Sequence, residues 1–530
     1  MPSYILGIND GHSATAALMK DGKILTSVSE ERFTKKKNQF GFPVKAVEYS
    51  LKHAGINGSD LDLVVISWKN PFQISIYQTL MEGQSTNSLD LPGRYQEWFK
   101  EKIIRRWPNA AYFHETMRKR YEKMNYNRLN GQRLDTISKH LGITKDKILL
   151  ADHHMCHAHY AYYANYQRKS PTLVFTLDGQ GDDSCAMVST IKDESFEPIA
   201  ITPRWRSVGE IYQHITKYMG MKPLEHEYKV MGLAPYASPD ATERAYRVME
   251  KFAIVKDDLT FETDVSSWAL EGHLERTLKG QRFDGIAGAV QKLVETRVTE
   301  WIRAAVKRTG ITDVAFAGGV FLNVKLNMLI ASMPELTSIY FAPSPGDESN
   351  GMGACYFGYK HLGNTNPEPV KDLYLGPSFT DEEIERALKT KGCYDRYEIE
   401  QHDDVDGTLA DLLAKNKIVA RFAGRMEWGA RSLGNRAILS NASHVDNMRT
   451  INDAIKMRDF WMPFAPTILK SRENDYIENE RGLPAPYMIL AFMSRPLAKK
   501  EIVAAIHPYD YTCRPQSLED GWNHGYERVL

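Results

Sequence analysis

The stretches LGINDGHSATAALMKDGKI (residues 6–24) and VFTLDGQGDDSCAMVSTIKD (residues 174–193) share one layout. Each contains an apolar segment, an acidic turn with glycine, and a second apolar segment. The apolar segments predict strands at 4–8, 14–19 and 24–29, and again at 173–177 and 185–191. Asp21-Gly22 predicts a tight hairpin turn, because both central residues of such a turn must tolerate a positive φ.

The recurrence of this layout indicates an internal duplication, since each copy opens a segment of mixed strands and helices. Paired strand–turn–strand units followed by helices are typical of α/β proteins of the actin/hexokinase class, the ASKHA fold. In that class the two turns face each other and hold nucleotide phosphates between two lobes. Two unrelated hairpins within one large domain are the alternative. The sequence therefore predicts an α/β fold with a duplicated, actin/hexokinase-like N-terminal domain.

A domain boundary is expected near Asn364–Pro369, where a Gly/Asn/Pro-rich stretch interrupts the pattern. Thr380 then provides a helix cap before an acidic first turn, which predicts that a new domain begins with this helix. At 530 residues the chain is also longer than a single hydrophobic core usually supports. We expect two domains, at 1–365 and 366–530.

Composition excludes several classes of protein. Lys and Arg together number 67 and equal Asp plus Glu, so no basic excess points to a nucleic acid, and the run Lys35–Lys37 is too short to supply one. The five cysteines include no CxxC pair, which disfavours a disulfide framework. No apolar stretch approaches the roughly 18 residues of a membrane span, and the N-terminus lacks a signal-peptide pattern. We expect a soluble, cytoplasmic protein.

Histidines are densest in Asp152-His153-His154-Met155-Cys156-His157-Ala158-His159. His153 and His157 are four residues apart, so on a helix both imidazoles share one face and could bind one metal ion. The zinc-protease motif has this spacing but requires Glu after the first histidine, where this chain has His154. Asp178 and Asp347 follow predicted strands and could complete the site, although aspartates beside glycine are commonly turn residues.

A Gly-Gly turn follows the predicted strand at 314–316 and opens a helix. Backbone N–H groups at such a helix start favour phosphate, and Asn323 and Asn327 lie one turn apart, where they could bond ribose or phosphate. An ordinary strand-to-helix turn is the alternative. Gly318, Gly319 and the two asparagines are the candidates.

The segment after residue 420 contains Arg421, Arg425, Arg431 and Arg436, separated by glycines and followed by Lys456 and Arg458. Guanidinium groups bind phosphate through paired hydrogen bonds, so this segment predicts an anion cradle. Loose surface arginines are the alternative. ATP or an acyl phosphate is the expected ligand.

Several further segments, taken in order with these motifs, resemble the NodU/CmcH/TobZ carbamoyltransferases over nearly the full length. The matching segments are GINDGHSA (7–14), EERFT (30–34), HHxxHA (153–158), KVMGLAPY (229–236), GGVFLN (318–323), PGD (345–347), GRMEWGARSLGNR (424–436) and MPFAP (462–466). Each is modest alone, whereas their order is specific.

The resemblance implies an N-terminal domain like the TsaD tRNA-threonylcarbamoyl transferases and an α/β C-terminal domain like YrdC. The YrdC-like domain would combine carbamoyl phosphate with ATP to form carbamoyladenylate. The TsaD-like domain would pass the carbamoyl group to a hydroxyl of a small molecule. Carbamoyl phosphate, ATP with Mg²⁺ and this acceptor are the implied partners, while the acceptor's identity and formation of a homodimer are left open.

The family's site residues carry over to this chain by position. The resemblance implies iron(II) at His153, His157, Asp178 and Asp347, although nitrogen and oxygen ligands also suit manganese or zinc. His12 aligns with the general base, a role that suits an imidazole. Nucleotide contacts are implied for Gly318, Gly319, Asn323 and Asn327. Contacts to ATP and carbamoyl phosphate are implied for Arg425, Arg431, Arg436, Lys456 and Arg458, with Lys35 or Lys37 from the first domain.

Two departures from the family stand out. Ser13 replaces an aspartate that usually follows the histidine, so Asp10 is the nearest expected carboxylate partner of His12. The chain also stops at Leu530, before a further terminal motif, so the YrdC-like domain is expected to lack an edge.

Between the repeats, Thr79–Tyr126 is aromatic and charged, and we expect a helical insertion that shapes an acceptor pocket.

Two other functions compete with carbamoyl transfer to a small molecule. A tRNA threonylcarbamoylation enzyme has related domains, but these normally occupy separate chains. A non-catalytic nucleotide or metal sensor would keep the fold without the reaction. A hydrogenase maturation factor is disfavoured because the acylphosphatase region and the cysteine-rich zinc fingers are missing.

Overall fold

The computed structural model describes residues 3–70, 103–104, 107, 110–456, 459 and 461–530, without the side chains of 111, 112, 114, 118, 121, 122 and 456. Two compact units divide the chain, Met1–Lys371 and Asp372–Leu530. The sequence places this boundary after residue 365, six residues earlier. Much of the predicted insertion at 79–126, including Trp98, lies outside the described residues.

The first half of the N-terminal unit begins with an antiparallel meander. Its strands are β1 (Tyr4–Asn9), β2 (Thr15–Lys20), β3 (Lys23–Ser29), β4 (Leu63–Ile66) and β5 (Ile148–Leu150), and its helices are α1 (Glu31–Thr34), α2 (Val44–Ala54) and α3 (Ala110–Leu141). The strand order is β3-β2-β1-β4-β5, with β1, β4 and β5 parallel. Asp21 and Gly22 have φ values of 49° and 82°, which confirms the predicted hairpin turn.

The second half repeats this arrangement. Its strands are β6 (Thr172–Gly181), β7 (Ser184–Lys192), β8 (Ser195–Pro203), β9 (Ile254–Val255), β10 (Phe261–Glu262), β11 (Asp313–Ala317) and β12 (Ser338–Phe341). Its helices are α4 (His153–Tyr163), α5 (Val208–Tyr218), α6 (Glu227–Leu233), α7 (Pro239–Met249), α8 (Leu270–Thr277), α9 (Phe283–Thr309), α10 (Val324–Ala331) and α11 (Asn350–His361). The five-stranded sheet has the order β12-β11-β6-β7-β8.

Both large sheets therefore have one topology: an antiparallel meander followed by two strands parallel to its first strand. The duplication predicted from the sequence is present in the fold. One expectation is wrong in detail. Strand β6 continues to Gly181 with a register shift after Leu177, and the turn falls at Asp182, so Asp178 lies on the irregular end of a strand.

Helices α4 and α11 pack closely in the core of the N-terminal unit. A Cβ on Gly353 would clash with the carbonyl oxygen of Cys156, and a Cβ on Gly7 would clash with that of Gly351. Glycine at these positions allows α11 to approach both α4 and β1 at backbone distance. The two helices that flank the candidate site are thereby held rigidly.

The C-terminal unit is a smaller mixed α/β unit with three two-stranded ladders, β13–β14, β15–β18 and β16–β17, in its described residues. Thr380 and Glu383 form the capping box of its first helix, which confirms the predicted cap. Its strands are β13 (Val419–Phe422), β14 (Arg436–Leu439), β15 (Thr467–Leu469), β16 (Phe492–Met493), β17 (Thr512–Cys513) and β18 (Gln516–Leu518). Its helices are α12 (Asp381–Thr390), α13 (Val405–Ala414), α14 (Val445–Ile451), α15 (Glu473–Tyr476), α16 (Ala498–Glu501) and α17 (His524–Val529).

Among the described residues, no helix combines the length and the apolar character needed to cross a bilayer.

Candidate metal centre and active site

The structure brings together the four residues expected to bind a metal. One ligand atom from each of His153, His157, Asp178 and Asp347 lies within 4.8 Å of the other three. The two imidazoles project from the same face of α4, and their Nε2 atoms are 3.1 Å apart. Helix α4 begins where Asp152 accepts a hydrogen bond from the backbone N–H of Met155 at 3.1 Å, so the cap fixes the position of both histidines.

Two carboxylates close the other side of this group. Asp178 Oδ2 lies 3.2 Å from His157 Nε2, and Asp347 Oδ1 lies 3.4 Å from His153 Nε2. Asp178 comes from the end of β6, whereas Asp347 follows the loop after β12. Residues far apart in sequence thus converge because the strand ends of one sheet meet at this edge.

The chemistry of this group fits a divalent cation. The inner oxygens Asp178 Oδ2 and Asp347 Oδ1 are buried and make no regular hydrogen bond within the described structure. Burial opposes the charged imidazole, but the two carboxylates outweigh it and raise the pKa of His153 to about 10. The negative charge of the group thus demands a positive partner, which a metal ion with nitrogen and oxygen ligands would provide.

The outer nitrogens of the two imidazoles also have partners. His157 Nδ1 lies 3.3 Å from Ser349 Oγ, and His153 Nδ1 lies 3.2 Å from the amide nitrogen of Asn350. Both partners are fully buried. Contacts of this kind fix the orientation of ligand imidazoles. The sequence supplied both residues beside Asp347 but gave no reason to select them.

The other histidines of the cluster are structural. His154 Nδ1 lies 2.8 Å from Thr176 Oγ1, and burial, with the charges on the neighbouring imidazoles, lowers the pKa of His154 to about 3. His159 stacks on Phe196 with ring centroids 3.9 Å apart, and burial lowers the pKa of His159 to about 4. The density of histidines therefore marks the site without distinguishing ligands from core residues.

His12 lies at the edge of the metal group. Its Nδ1 is 3.9 Å from Asp347 Oδ2 and 3.2 Å from Ser13 Oγ, and its side chain is 31% exposed. The Nε2 atom is buried without a hydrogen-bond partner among the described residues. Asn9 fixes the turn by donating its amide to the His12 carbonyl at 2.7 Å. The turn of the first repeat thus brings an imidazole to ligands supplied by the second.

The expected carboxylate partner of His12 is corrected by the structure. Asp10 is fully buried and accepts hydrogen bonds from Arg133 Nε at 2.8 Å and Nη2 at 2.5 Å. Its carboxylate is therefore neutralised by a guanidinium on α3, and Asp347 is the carboxylate close to His12. Arg133 lies 123 residues from Asp10, and its isolated position in sequence carried no signal for this pair.

Trp68 joins this ion pair to the metal group. Its carbonyl accepts a hydrogen bond from Arg133 Nη1 at 2.9 Å, and its indole N–H donates to Asn9 Oδ1 at 2.8 Å. Its ring lies against the ring of His153, with centroids 4.3 Å apart. One side chain thus contacts both the His12 turn and a metal-ligand candidate.

Asp182 connects the two repeats beside the site. Its carboxylate accepts hydrogen bonds from the backbone N–H groups of Lys69 at 2.9 Å, Asn70 at 2.8 Å and His153 at 3.0 Å. Burial raises the pKa of Asp182 despite these bonds. Asp182 belongs to the repeated turn in the sequence, but no sequence pattern predicts these hydrogen bonds.

The Gly-Gly turn supports Asp178. Gly318 has a φ of 104° and donates its N–H to Pro345 O at 2.8 Å, so this group is already engaged within the protein. A Cβ on Gly319 would lie 3.0 Å from Asp178 Oδ1. The turn therefore leaves space for the carboxylate and approaches the metal group directly.

The two asparagines after this turn have structural contacts. Asn323 caps α10 by accepting from Leu326 N at 3.0 Å, and its amide donates to Gln291 Oε1 at 2.9 Å. Asn327 is fully buried, and its amide donates to Phe321 O at 2.7 Å. At this burial, a nucleotide could reach Asn327 only after the loop rearranges.

The basic candidates of the first domain lie in one exposed loop. Lys35 has a φ of 62°, and its ammonium group donates to Arg32 O at 2.9 Å. Lys37 pairs with Glu225 at 3.2 Å. Both lysine side chains are exposed, so either ammonium group can also be approached by an anion from solvent.

The arginines of the C-terminal unit are more enclosed than expected. Arg425 donates to Leu375 O and Gly376 O, and Arg436 donates to four backbone carbonyls while stacking 3.7 Å from the Phe422 ring. These guanidinium groups hold the segment together, so a phosphate would have to displace carbonyl partners. Arg431 is half-buried. The Lys456 side chain and Arg458 lie outside the described residues.

The N-terminal unit thus defines a class of enzyme site: a two-histidine, two-carboxylate group with an adjacent imidazole, set at the edge of a duplicated α/β fold. Two family descriptions also match the chain. The family described as Carbamoyltransferase N-terminus matches residues 4–356, and Carbamoyltransferase C-terminus matches residues 410–530. The chain belongs to the carbamoyltransferase family and is an enzyme of that class.

Relatives extend over nearly all of the chain. Nodulation protein NolNO of Sinorhizobium fredii is 28% identical over 98% of this chain and 71% of its own length. The uncharacterized protein sll1178 of Synechocystis is 29% identical over 92% of this chain and 79% of its own. The uncharacterized protein MJ1051 of Methanocaldococcus jannaschii is 29% identical over 99% of this chain and 89% of its own.

Proposed function

We propose that the chain is an ATP-dependent O-carbamoyltransferase acting on a small molecule. It would form carbamoyladenylate from carbamoyl phosphate and ATP, consuming one water and releasing phosphate and pyrophosphate, and then transfer the carbamoyl group to a hydroxyl. The observation that carries the proposal is the position of His12, whose imidazole lies 3.9 Å from Asp347 at the rim of the metal group. Family membership supplies the carbamoyl group as the unit transferred.

In the transfer step, the acceptor oxygen would form a bond to the carbamoyl carbon. His12 would take the hydroxyl proton, and the bond from carbon to the phosphate oxygen of AMP would break with its electron pair remaining on AMP. The orphaned Nε2 of His12 supports this role, since a buried imidazole nitrogen needs a partner and a hydroxyl would provide one.

His153, His157, Asp178 and Asp347 would hold the metal, with iron(II) as the proposed ion. When bound, a divalent metal supplies a Lewis acid that stabilises developing negative charge. Asn350 and Ser349 keep the imidazoles oriented, Trp68 covers one side of His153, and the Gly-Gly turn keeps space beside Asp178. Gly318, Gly319 and Asn323 are the proposed nucleotide contacts.

The activation step is proposed for the C-terminal unit. Arg425, Arg431 and Arg436, with Lys456 and Arg458, would bind the phosphates of ATP and carbamoyl phosphate. Phosphate binding by Arg425 or Arg436 would require them to exchange their backbone carbonyl partners for phosphate oxygens. We also propose the actin/hexokinase-like class for the N-terminal unit and the YrdC-like class for the C-terminal unit, with the reaction in the cytoplasm.

The proposal is tested by measuring pyrophosphate release from the full chain with ATP, Mg²⁺ and iron(II). We expect release only when carbamoyl phosphate is also present, with no acceptor needed for this half of the reaction. Tight ATP binding without carbamoyl phosphate-dependent pyrophosphate would instead identify a nucleotide sensor and overturn the proposal. Release stimulated by tRNA, with steep salt dependence of tRNA binding, would favour threonylcarbamoylation.

A further inference from the structure

A cleft on the surface of the N-terminal unit adjoins the end of β6. Its walls come from the turn after β8, one face of α5 and the turn before α8, and include Trp205, Gln213 and Trp268. Its volume is about 290 Å³, close to the lower end of small-molecule sites at roughly 300–1,000 Å³. A single ring compound fits this size. None of the lining residues belongs to the metal or nucleotide contacts proposed above.

The first turn of α5 contacts both the cleft and the backbone of Asp178. Ser207, the cap of α5, donates its hydroxyl to Asp178 O at 3.2 Å, and a Cβ on Gly209 would lie 2.6 Å from the same oxygen. Gln180, two residues after Asp178, is part of the cleft wall. A ligand in the cleft therefore lies next to the strand end that presents a metal-ligand carboxylate.

Helix α3 holds both indoles of the cleft in place. The Trp268 N–H donates to Glu115 Oε2 at 3.2 Å, and the Lys119 ammonium group lies 4.4 Å from the centre of the Trp205 ring. Glu115 is buried, so its contact with Trp268 is shielded from water. Both α3 residues fall within the insertion predicted at 79–126, and each contacts a residue of the cleft wall. The indoles are thus preorganised walls and not loose surface side chains.

The charges around the cleft balance. Of the two cations in the wall, Arg204 lies 3.6 Å from Glu115 and Lys217 lies 3.0 Å from Glu271. Glu210 adds one negative charge to the wall, and Lys119 adds one positive charge beside it. Among the described residues that line the cleft, which also include His214, both Lys217 and Arg204 lie near a carboxylate, so they offer a polyanion such as a nucleotide no uncompensated lysine or arginine. Glu210 is the single carboxylate in this described lining, so a polycation is not favoured either.

The wall of the cleft also contains polar groups that can bond a ligand. Ser267 is 6% exposed and lines the cleft, and its Oγ is buried without a hydrogen-bond partner among the described residues. A buried hydroxyl of this kind needs a partner. Amides from Gln180 and Gln213 offer further donors and acceptors.

We infer that this cleft binds the hydroxyl acceptor, and that the acceptor is an uncharged polyhydroxylated ring compound. Aromatic walls bury the faces of such a ring, while the amides and Ser267 bond its hydroxyl groups. Balanced wall charges favour a neutral ligand over a charged analogue. The inference rests on the proposed function, which requires an acceptor but does not identify it.

The test compares three ring compounds of similar shape and different charge: glucose, glucosamine and glucose 6-phosphate. Binding to the full chain is measured by ligand-observed saturation-transfer NMR and by calorimetry. We expect the neutral sugar to bind best and its affinity to fall at least tenfold in Trp268→Leu and in the milder variant Gln213→Ala. Trp522→Leu, in the C-terminal unit, is the matched control and should leave affinity unchanged.

Stronger binding of either charged compound overturns the inference, and so does glucose binding by both cleft variants that is as tight as binding by the unsubstituted chain. The acceptor role is tested with labelled carbamoyl phosphate and a wider set of neutral polyols. Cleft variants should raise the acceptor KM at least tenfold while pyrophosphate release stays unchanged. If polyols bind but never receive label while pyrophosphate is released, the acceptor role fails and the proposed function stands. If pyrophosphate release never depends on carbamoyl phosphate, the proposed function itself fails.

Discussion

Arg133 and Asp10 form a buried ion pair with two hydrogen bonds, at 2.8 and 2.5 Å, although 123 residues separate them. The guanidinium also donates to the carbonyl of Trp68 at 2.9 Å. Helix α3 is thereby fastened to the turn that carries His12. The pair holds the first repeat in the geometry that the site requires.

Removal of the Arg133 guanidinium should lower the stability of the protein. Arg133→Met leaves the Asp10 carboxylate buried and unpaired, and we expect a loss of about 3–5 kcal/mol in the free energy of unfolding, since breaking a buried pair has this effect. Urea denaturation provides the measurement. Arg449→Ala, at an exposed pair with Asp453, is the control and should change stability by no more than about 1 kcal/mol. Equal effects of the two substitutions would contradict the importance of burial.

His157→Ala should weaken metal binding by on the order of a hundredfold or more, because it deletes one of four ligands and leaves the carboxylates facing a gap. Elemental analysis of the purified protein and titration with iron(II) or manganese(II) measure the effect. His361→Ala, in the exposed last turn of α11, serves as the control. Full retention of metal by His157→Ala would rule out the site.

His12→Asn should separate the two half-reactions. We expect carbamoyladenylate formation, followed as pyrophosphate release, to be unchanged, and carbamoyl transfer to fall by roughly 10²–10⁴-fold, the usual contribution of a general base. The assay uses labelled carbamoyl phosphate with an acceptor identified by screening. An equal fall in both half-reactions would show that His12 is not the base of the transfer step.

Arg431→Ala should have the opposite effect on the two half-reactions. Loss of one charge-assisted contact to phosphate is worth about 1.5–3 kcal/mol, so pyrophosphate release at limiting substrate should fall by roughly 10–150-fold. Arg449→Ala again provides the matched arginine control in the same unit. Unchanged release in Arg431→Ala would remove this residue from the cradle.

Gly353→Ala should destabilise the N-terminal unit although alanine is the better helix former. The helix gains about 1 kcal/mol from the substitution, but the new methyl group clashes with the carbonyl of Cys156, and overpacking costs about 1–3 kcal/mol. Gly131→Ala in α3 has open space and should instead stabilise by up to about 1 kcal/mol. Thermal unfolding of the two variants tests the contrast, and a shift of the same sign in both would contradict the tight packing.

The sequence predicts most strongly where one local pattern decides the structure. Asp21-Gly22 predicts its hairpin, Thr380 its cap, and His153 with His157 a shared helical face. The repeated layout also predicts the common sheet topology. These features depend on residues within a few positions of one another, so a single sequence contains them.

Contacts between distant segments could not be predicted in the same way. Arg133, the partner of Asp10, is on α3. Trp68, whose ring lies against His153, follows β4, and so do two of the backbone N–H groups that donate to Asp182. The arginine segment shows the same limit, because composition suggests an anion cradle but does not show that Arg425 and Arg436 also bind carbonyls of their own unit. Charge in a sequence does not reveal which backbone groups will satisfy it.

The common topology of the two sheets makes Asp10 and Asp178 counterparts. The strand pairings end at Ile8 with Ile66 and at Thr176 with Ala317, so each aspartate stands two residues beyond the last pair. In one copy an arginine cancels the charge, whereas in the other the charge faces two imidazoles. Equivalent positions of the two halves are therefore electrostatically asymmetric: the Asp10 carboxylate is compensated within the protein, whereas the Asp178 carboxylate is presented to His153 and His157.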